Sequence, residues 1–388
     1  MSSSVQQTRE LPTHTRPVSN RLLSLDVFRG ATIAAMILVN NPGSDFAYAP
    51  LNHASWSGWT PTDLIFPFFL FIVGVSLTLS FRSRLLKDES RRSLLIHTVR
   101  RSAIIFLIGL FLNGFPHFHL ATWRVAGVLQ RIALAYLAAS IIILYARTRG
   151  IALSIAGLLI GYWVAMRFIP VPGLGMPGSD VALLAPDGNM SWYIDKLYLP
   201  GRFYEKTRDP EGILSTLPAI ATALLGVLTG KWLQQSIDST KKVFGMLAFG
   251  VAGIVAGQIW NLWFPINKKL WTSSFVLFTA GCALVALALC YWGCDVKQRR
   301  GAWTKPFIVF GTNAIAAYAL ADVLAALLYS VHAPMGNRVV TLEEYLFHTL
   351  FGAILPKELG SLVWAVLFVC LCWLPIYVMY RKRIFLKI

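Results

Sequence analysis

The sequence is short of charge. Only 14% of its 388 residues are Asp, Glu, Lys or Arg, where a soluble domain carries about 25%. With 56% hydrophobic residues, that shortage excludes an ordinary water-soluble enzyme. Acidic residues are the scarcer sign, 18 against 35 basic ones, giving a net charge of +17. Such a balance can mark a nucleic-acid binder. Here the basic residues fall in short stretches between apolar runs, so no nucleic acid is implied and the charge reads as membrane topology. Cysteine is scarce as well. Cys282, Cys290, Cys294, Cys370 and Cys372 lie in or beside apolar runs, which leaves no disulfide framework. Residues 1–20 lack an apolar core, so they read as a flexible cytoplasmic tail rather than a cleavable signal. His117 and His119 lack further ligands for a metal ion, and no metal is expected.

What is abundant is apolar sequence long enough to cross a bilayer, about 20 residues at a time. The pattern predicts an all-α polytopic membrane protein of about ten transmembrane helices over residues 21–388, in contact with the lipid bilayer. The first span is expected at Leu22–Asn40, the third at Ser102–Phe115, the ninth at Phe307–Tyr329 and the last at Leu359–Tyr380. Lys and Arg outnumber those of the opposite face by more than two to one on the face that holds the N-terminal tail. Arg82, Arg84, Lys87, Arg91, Arg92, Arg100 and Arg101 lead that group. The positive-inside rule makes this face cytoplasmic, with both termini on it. Residues 344–355 are too short to span and read as a non-spanning helix. Residues 170–212 form a long outer-face loop rich in Pro, Gly, Asp, Tyr and Trp. A loop of that length usually has a role, as a lid or as a sugar-binding surface.

Polar residues inside spans are costly and mark function. Asp26 and Arg29 share one helix face; they either pair with each other or leave Arg29 to hold an anion. Gln130 and Arg131 offer a second anion contact, and Asn313 and Asp322 lie in the ninth span. Together they predict a polar cavity, which suits an enzyme or a solute transporter equally. Between the first two spans lies Val39–Asn40, then Leu51-Asn-His53-Ala-Ser-Trp-Ser-Gly58, then Pro61-Thr-Asp63. Histidine suits proton transfer near neutral pH. Asp63 is placed to orient His53, and Asn40 to donate to an oxyanion.

These residues resemble a known family. Leu22-Leu-Ser-Leu-Asp26-Val-Phe-Arg29-Gly30, Val39–Asn40 and His53-Ala-Ser-Trp-Ser-Gly58 are similar to the heparan-α-glucosaminide N-acetyltransferase family of transmembrane acetyltransferases. So are Gly127-Val-Leu-Gln-Arg131-Ile, Asp209-Pro-Glu211-Gly, Pro265-Ile-Asn267-Lys-Lys269-Leu-Trp271, Gly311-Thr-Asn313 and Lys382-Arg-Ile-Phe385. The resemblance implies acetyl transfer from cytosolic acetyl-CoA to the amine of a glucosamine-type sugar at the opposite face. It implies catalysis by His53, Asn40 and Asp63, with His53 as general base or as an acetylated nucleophile. Arg29, Asp26, Gln130, Arg131 and Asn313 become candidates for acetyl-CoA binding, since guanidinium suits phosphate. Asp209, Glu211, Asn267 and Lys269 become candidates for holding the amino-sugar acceptor. A homodimer is expected from the family alone. The sequence shows no large luminal N-terminal domain, so a bacterial plasma membrane is expected. An O-acetyltransferase of a cell-envelope glycan is the neighbouring alternative.

Overall fold

The computed structural model describes residues 22–352 and 354–386. The expected tail at 1–20 and Arg21 lie outside the described residues. The chain is helical almost throughout: α1 (Leu23–Asn40), α2 (Ile65–Leu85), α3 (Arg91–Gly114), α4 (Val128–Tyr145), α5 (Thr148–Phe168), α6 (Met190–Tyr198), α7 (Thr216–Leu233), α8 (Ser239–Asn261), α9 (Ser273–Tyr291), α10 (Thr304–Thr312), α11 (Ala314–Ser330), α12 (Leu342–Phe351) and α13 (Lys357–Arg381). A two-stranded hairpin, β1 (His332–Met335) and β2 (Arg338–Thr341), precedes α12.

Among the described residues nine helices are long and apolar enough to cross a membrane, up to ten where the bent pair of α10 and α11 counts as one span rather than a re-entrant loop. This bears out the all-α polytopic reading and corrects its ninth span. Phe307–Tyr329 is not one straight helix: α10 and α11 meet at 87°. The break sits on Asn313, whose φ of −130° and ψ of 46° leave the helical region. Its side chain donates to the Ile384 carbonyl (3.0 Å) and accepts from the Leu386 amide (3.0 Å). The chain just beyond α13 thereby meets the hydrogen-bonding capacity of the Asn313 carboxamide.

The third span is also longer than expected. Ser90 caps α3 by accepting from the Ser93 amide at 3.2 Å, so the helix starts at Arg91, holds Arg100 and Arg101 within it, and turns Arg101 toward the bundle. The outer segment 170–212 is not structureless; it holds α6, capped by the Asn189 side chain on the Trp192 amide (2.9 Å). The short helix expected at 344–355 is α12, capped by Thr341.

Lipid tails give helices no hydrophobic reason to associate, so close backbone packing holds the bundle together. On α1 and α10 the glycines do this work. A Cβ at Gly30 would collide with the Phe307 carbonyl, and one at Gly311 with the Asp26 carbonyl. On α2 and α7 a Cβ at Gly74 would strike the Ala223 carbonyl, and one at Gly226 the Phe71 carbonyl. These contacts place α1, α2 and α10 around a common interior. By strict alternation, α1 begins and α2 ends on the face that carries Arg82, Arg84 and Arg91, called the basic face below. The segments 41–60, 115–127, 169–215 and 262–272 lie at the opposite face.

Candidate active site

His53 and Asp63 meet at the opposite face. The segment between them turns on Thr60 and Pro61 into a short 3₁₀ turn, Pro61–Leu64, which feeds α2. The Asp63 carboxylate is buried at the start of that helix, where the helix dipole favours an anion. Its Oδ2 accepts from the Ala54 amide (3.1 Å), the Thr60 amide (3.0 Å) and the Thr60 hydroxyl (3.2 Å). Its Oδ1 lies 2.7 Å from His53 Nδ1. An ionised carboxylate only accepts, so Nδ1 carries the proton and donates. The Nε2 lone pair is then left to act as base or nucleophile. The expected partnership of these two residues is thus present as a hydrogen-bonded pair, with the imidazole half exposed and the carboxylate beneath it.

A third group completes the cluster. Lys268 Nζ lies 2.9 Å from His53 Nδ1, 3.2 Å from Nε2 and 3.5 Å from Asp63 Oδ1. With the Nδ1 proton turned to Asp63, the ammonium can donate to the Nε2 lone pair. Burial pushes Lys268 below the ordinary lysine range, and the charges of Asp63 and Glu211 pull it back only in part. Sequence reasoning quoted the motif that contains Lys268 but singled out its neighbours. Asn267 holds its own loop, its Oδ1 accepting from the Leu270 amide (2.9 Å) and its backbone amide donating to Thr272 Oγ1 (3.0 Å), while its side-chain Nδ2 is buried without a partner among the described residues. Lys269 turns away to Glu205 (2.8 Å) and lies over the Trp56 ring.

Asn40 ends α1 at the same face and is exposed; the hydrogen bonds of His53 go to Asp63 and Lys268 instead. Asp209 and Glu211 are brought together, but on a residue the sequence did not flag. Arg124 holds Asp209 through Nε (2.7 Å) and Nη2 (2.6 Å), and Glu211 through Nη2 (2.5 Å). The two carboxylates raise the Arg124 pKa against the effect of its burial. The arrangement ties the 201–212 segment to the chain entering α4. Nearby Asp195 is buried among backbone groups and accepts from the Ile213 amide at 2.7 Å; burial pushes its pKa up to about 6.

The residues expected to bind one anion divide between two places. Arg131 lies near the start of α4, fully buried. It donates to Gly212 O (3.2 Å) and Ser215 Oγ (2.5 Å), and its guanidinium lies 5.2 Å over the Trp271 ring. Arg131 does not line the cavity of Arg29, and its Nε and Nη1 are buried without a hydrogen-bond partner among the described residues. Gln130 packs against Gly109 and Gly127. Asn313 is engaged at the helix break. Asp26 lies 3.4 Å from Arg29.

Arg29 itself lines a cavity of about 290 Å³ that opens toward the basic face. Its guanidinium donates to Ser76 Oγ (2.6 Å) and to the Gly311 carbonyl (3.0 Å) freed at the end of α10. Arg101 lines the same cavity, and its Nε is buried without a hydrogen-bond partner among the described residues. A second, narrow, apolar cavity shares Phe69, Leu129, Ile132 and Ile315 with the first. It continues to Ile65 and Phe66, one turn inside Asp63.

Fold and site together define a polytopic helical membrane protein with a histidine–carboxylate centre at one face and a guanidinium-lined cavity reaching toward it from the other. The chain belongs to the heparan-alpha-glucosaminide N-acetyltransferase family, whose catalytic-region model matches residues 21–258. That match contains His53 and Asp63 and ends before Lys268. The heparan-alpha-glucosaminide N-acetyltransferases of Mus musculus and Homo sapiens are each 30% identical to it, over 97% and 95% of this chain. The chain spans about three fifths of the length of these curated relatives, 62% and 60%.

Proposed function

We propose that this protein moves an acetyl group from acetyl-CoA, bound at the basic face, to the amine of a glucosamine-type sugar bound at the opposite face. The single observation that carries the reading is a pair of neighbouring cavities, both lined by Phe69, Leu129, Ile132 and Ile315, set between Arg29 and the turn of α2 just inside Asp63. From Ser76 to Asp63 is thirteen residues of largely helical α2, about 20 Å at 1.5 Å per residue. An extended pantetheine arm is roughly 15–20 Å long, by the reach of a chain with ordinary bond lengths. The chemistry along the two cavities fits as well. Guanidinium groups of Arg29 and Arg101, one with an unmet donor, suit phosphates. The apolar walls beyond them suit an alkyl amide arm. The second cavity reaches Ile65 and Phe66, one turn inside Asp63.

In this reading His53 Nε2 takes the proton from the attacking amine, and Asp63 stabilises the imidazolium that forms. The rim near Arg124, Glu211 and Lys269 receives the sugar. The protein in detergent, given radiolabelled acetyl-CoA and glucosamine, is expected to form N-acetylglucosamine. His53→Ala is expected to reduce that rate by about 10²–10⁴-fold, the usual share of a general base, while acetyl-CoA still binds. Retained transfer in this variant would remove the site from consideration. Acetylation of hydroxyl acceptors in preference to amines would replace N-transfer by O-transfer. Solute movement without acetyl-CoA consumption would replace the enzyme by a transporter.

A further inference from the structure

Lys268 is held in place more firmly than an ordinary surface lysine. The Gly58 amide donates to the Ile266 carbonyl at 2.8 Å, which joins its loop to the segment that carries His53. Thr272 Oγ1 donates to the Pro265 carbonyl (2.9 Å), and the Ser274 hydroxyl to the Phe264 carbonyl (2.5 Å). The Trp271 indole donates to Thr222 on α7 (3.1 Å) and lies beneath the Arg131 guanidinium. A loop braced at both ends presents one largely buried ammonium to the imidazole.

Asp63 Oδ1 holds Nδ1 at 2.7 Å, while the Lys268 ammonium lies within reach of both ring nitrogens, 2.9 Å from Nδ1 and 3.2 Å from Nε2. A cation 3.2 Å from Nε2 gains a purpose when a negative charge forms beside that nitrogen. Acyl transfer produces such a charge on the carbonyl oxygen while the imidazole is being protonated. Asp63 then matches the new positive charge and Lys268 the new negative one. Fixed charges of this kind act strongly where water is excluded.

We propose that Lys268 is a catalytic residue whose ammonium takes the developing oxyanion of the acetyl thioester; this rests on the acetyltransferase reading above. The lone pair of the neutral acceptor amine attacks the carbonyl carbon, and the C=O π pair moves to oxygen beside Lys268. The amine proton passes to His53 Nε2. Collapse re-forms the carbonyl and breaks the C–S bond. The departing thiolate takes the proton from the imidazolium, so an amine and a thioester become an amide and a thiol.

The test uses the full chain in nanodiscs with acetyl-CoA and glucosamine, comparing wild type, Lys268→Met and Lys268→Arg. Loss of one oxyanion donor costs about 10²–10³-fold in kcat, and that loss is expected for Lys268→Met, with KM for acetyl-CoA and the melting temperature unchanged. Lys268→Arg keeps the charge and is expected to recover at least about tenfold of it, as the electrostatic account requires. A Lys268→Met enzyme with wild-type kcat overturns the proposal. So does an equal loss in both variants with a lowered melting temperature, which marks a purely structural lysine. Should Lys268→Met fail to fold, Lys268→Gln carries the same comparison. Transfer by wild type that survives in Lys268→Met defeats this inference alone; absence of transfer by wild type defeats the acetyltransferase reading and this inference with it.

Discussion

At the scale of single residues the site depends on the sense of one hydrogen bond. Asp63 fixes the imidazole tautomer because a carboxylate cannot donate to Nδ1. Asp63→Asn is nearly isosteric but can present an N–H to the ring, which favours the tautomer with its proton on Nε2. Where an amide replaces the orienting carboxylate of a histidine base, kcat falls by up to about 10⁴-fold. A loss of that order is expected here, with the melting temperature and acetyl-CoA affinity retained; wild-type kcat in Asp63→Asn would show that Nδ1 is oriented by something else. Asp195 provides a test at the outer segment. Burial raises its carboxyl from 3.8 to about 6 in the fold, so the native state binds that proton more tightly than the unfolded chain. Its contribution to stability is complete below about pH 4 and is lost as pH rises through about 6. The loss is at most about 3 kcal/mol, the equivalent of that displacement. The melting temperature of wild type relative to Asp195→Asn, which keeps an acceptor for the Ile213 amide, is therefore expected to fall between pH 4 and 6 and to level above it. A flat difference across that range would exclude the effect. The His53–Asp63 pair was legible in the sequence because both lie in one short segment whose turn residues bring them together. Lys268 was not, because its partner lies 215 residues away. The contacts of Arg131 were illegible for the same reason: the Gly212 carbonyl and Ser215 hydroxyl that hold it are distant in sequence.

At the scale of elements, the spans were readable and the break was not. Mean hydropathy rises along Phe307–Tyr329 whether or not the helix bends, and the sole local signal is Gly311-Thr312-Asn313. The bend depends on the Asn313 side chain meeting backbone that follows α13, a contact across the whole ninth and tenth crossings. It matters for function because the Gly311 carbonyl, released where α10 stops, accepts from Arg29 in the cavity. Gly311 also lets α10 approach α1 closely enough that a methyl group would meet the Asp26 carbonyl. Gly311→Ala is thus expected to force α1 and α10 apart, at a cost of about 1–3 kcal/mol for overpacking, and to move the Arg29 guanidinium with them. The measurable result is a lowered melting temperature together with a raised KM for acetyl-CoA and little change in kcat. If KM stays at the wild-type value while stability falls, the cavity is not where acetyl-CoA binds. The third span shows a related failure of sequence reading. Arg100 and Arg101 looked like loop residues, but Ser90 starts α3 early enough to carry Arg101 to the cavity wall.

At the scale of the whole molecule, the two faces differ in chemistry, and the proposed reaction needs them to face different compartments. One face collects the basic loops and the wide mouth of the Arg29–Arg101 cavity. The other collects His53, Lys268, the Arg124–Asp209–Glu211 cluster and the aromatic outer segment. Basic loops are retained on the cytoplasmic side during insertion, and the proposed reaction requires the same orientation, because its acetyl-CoA would come from the cytosol. This gives a test independent of catalysis. In a chain with its five cysteines replaced by alanine, Lys87→Cys and Lys206→Cys each put one thiol at an exposed position, on the basic and the opposite face respectively. In intact cells an impermeant thiol reagent is expected to label the second and to label the first only after the membrane is opened. The reverse pattern would place the guanidinium-lined mouth away from the cytosol. The two cavities would then deliver nothing to His53 in the proposed reaction, because the entrance of the first would open on a compartment without acetyl-CoA.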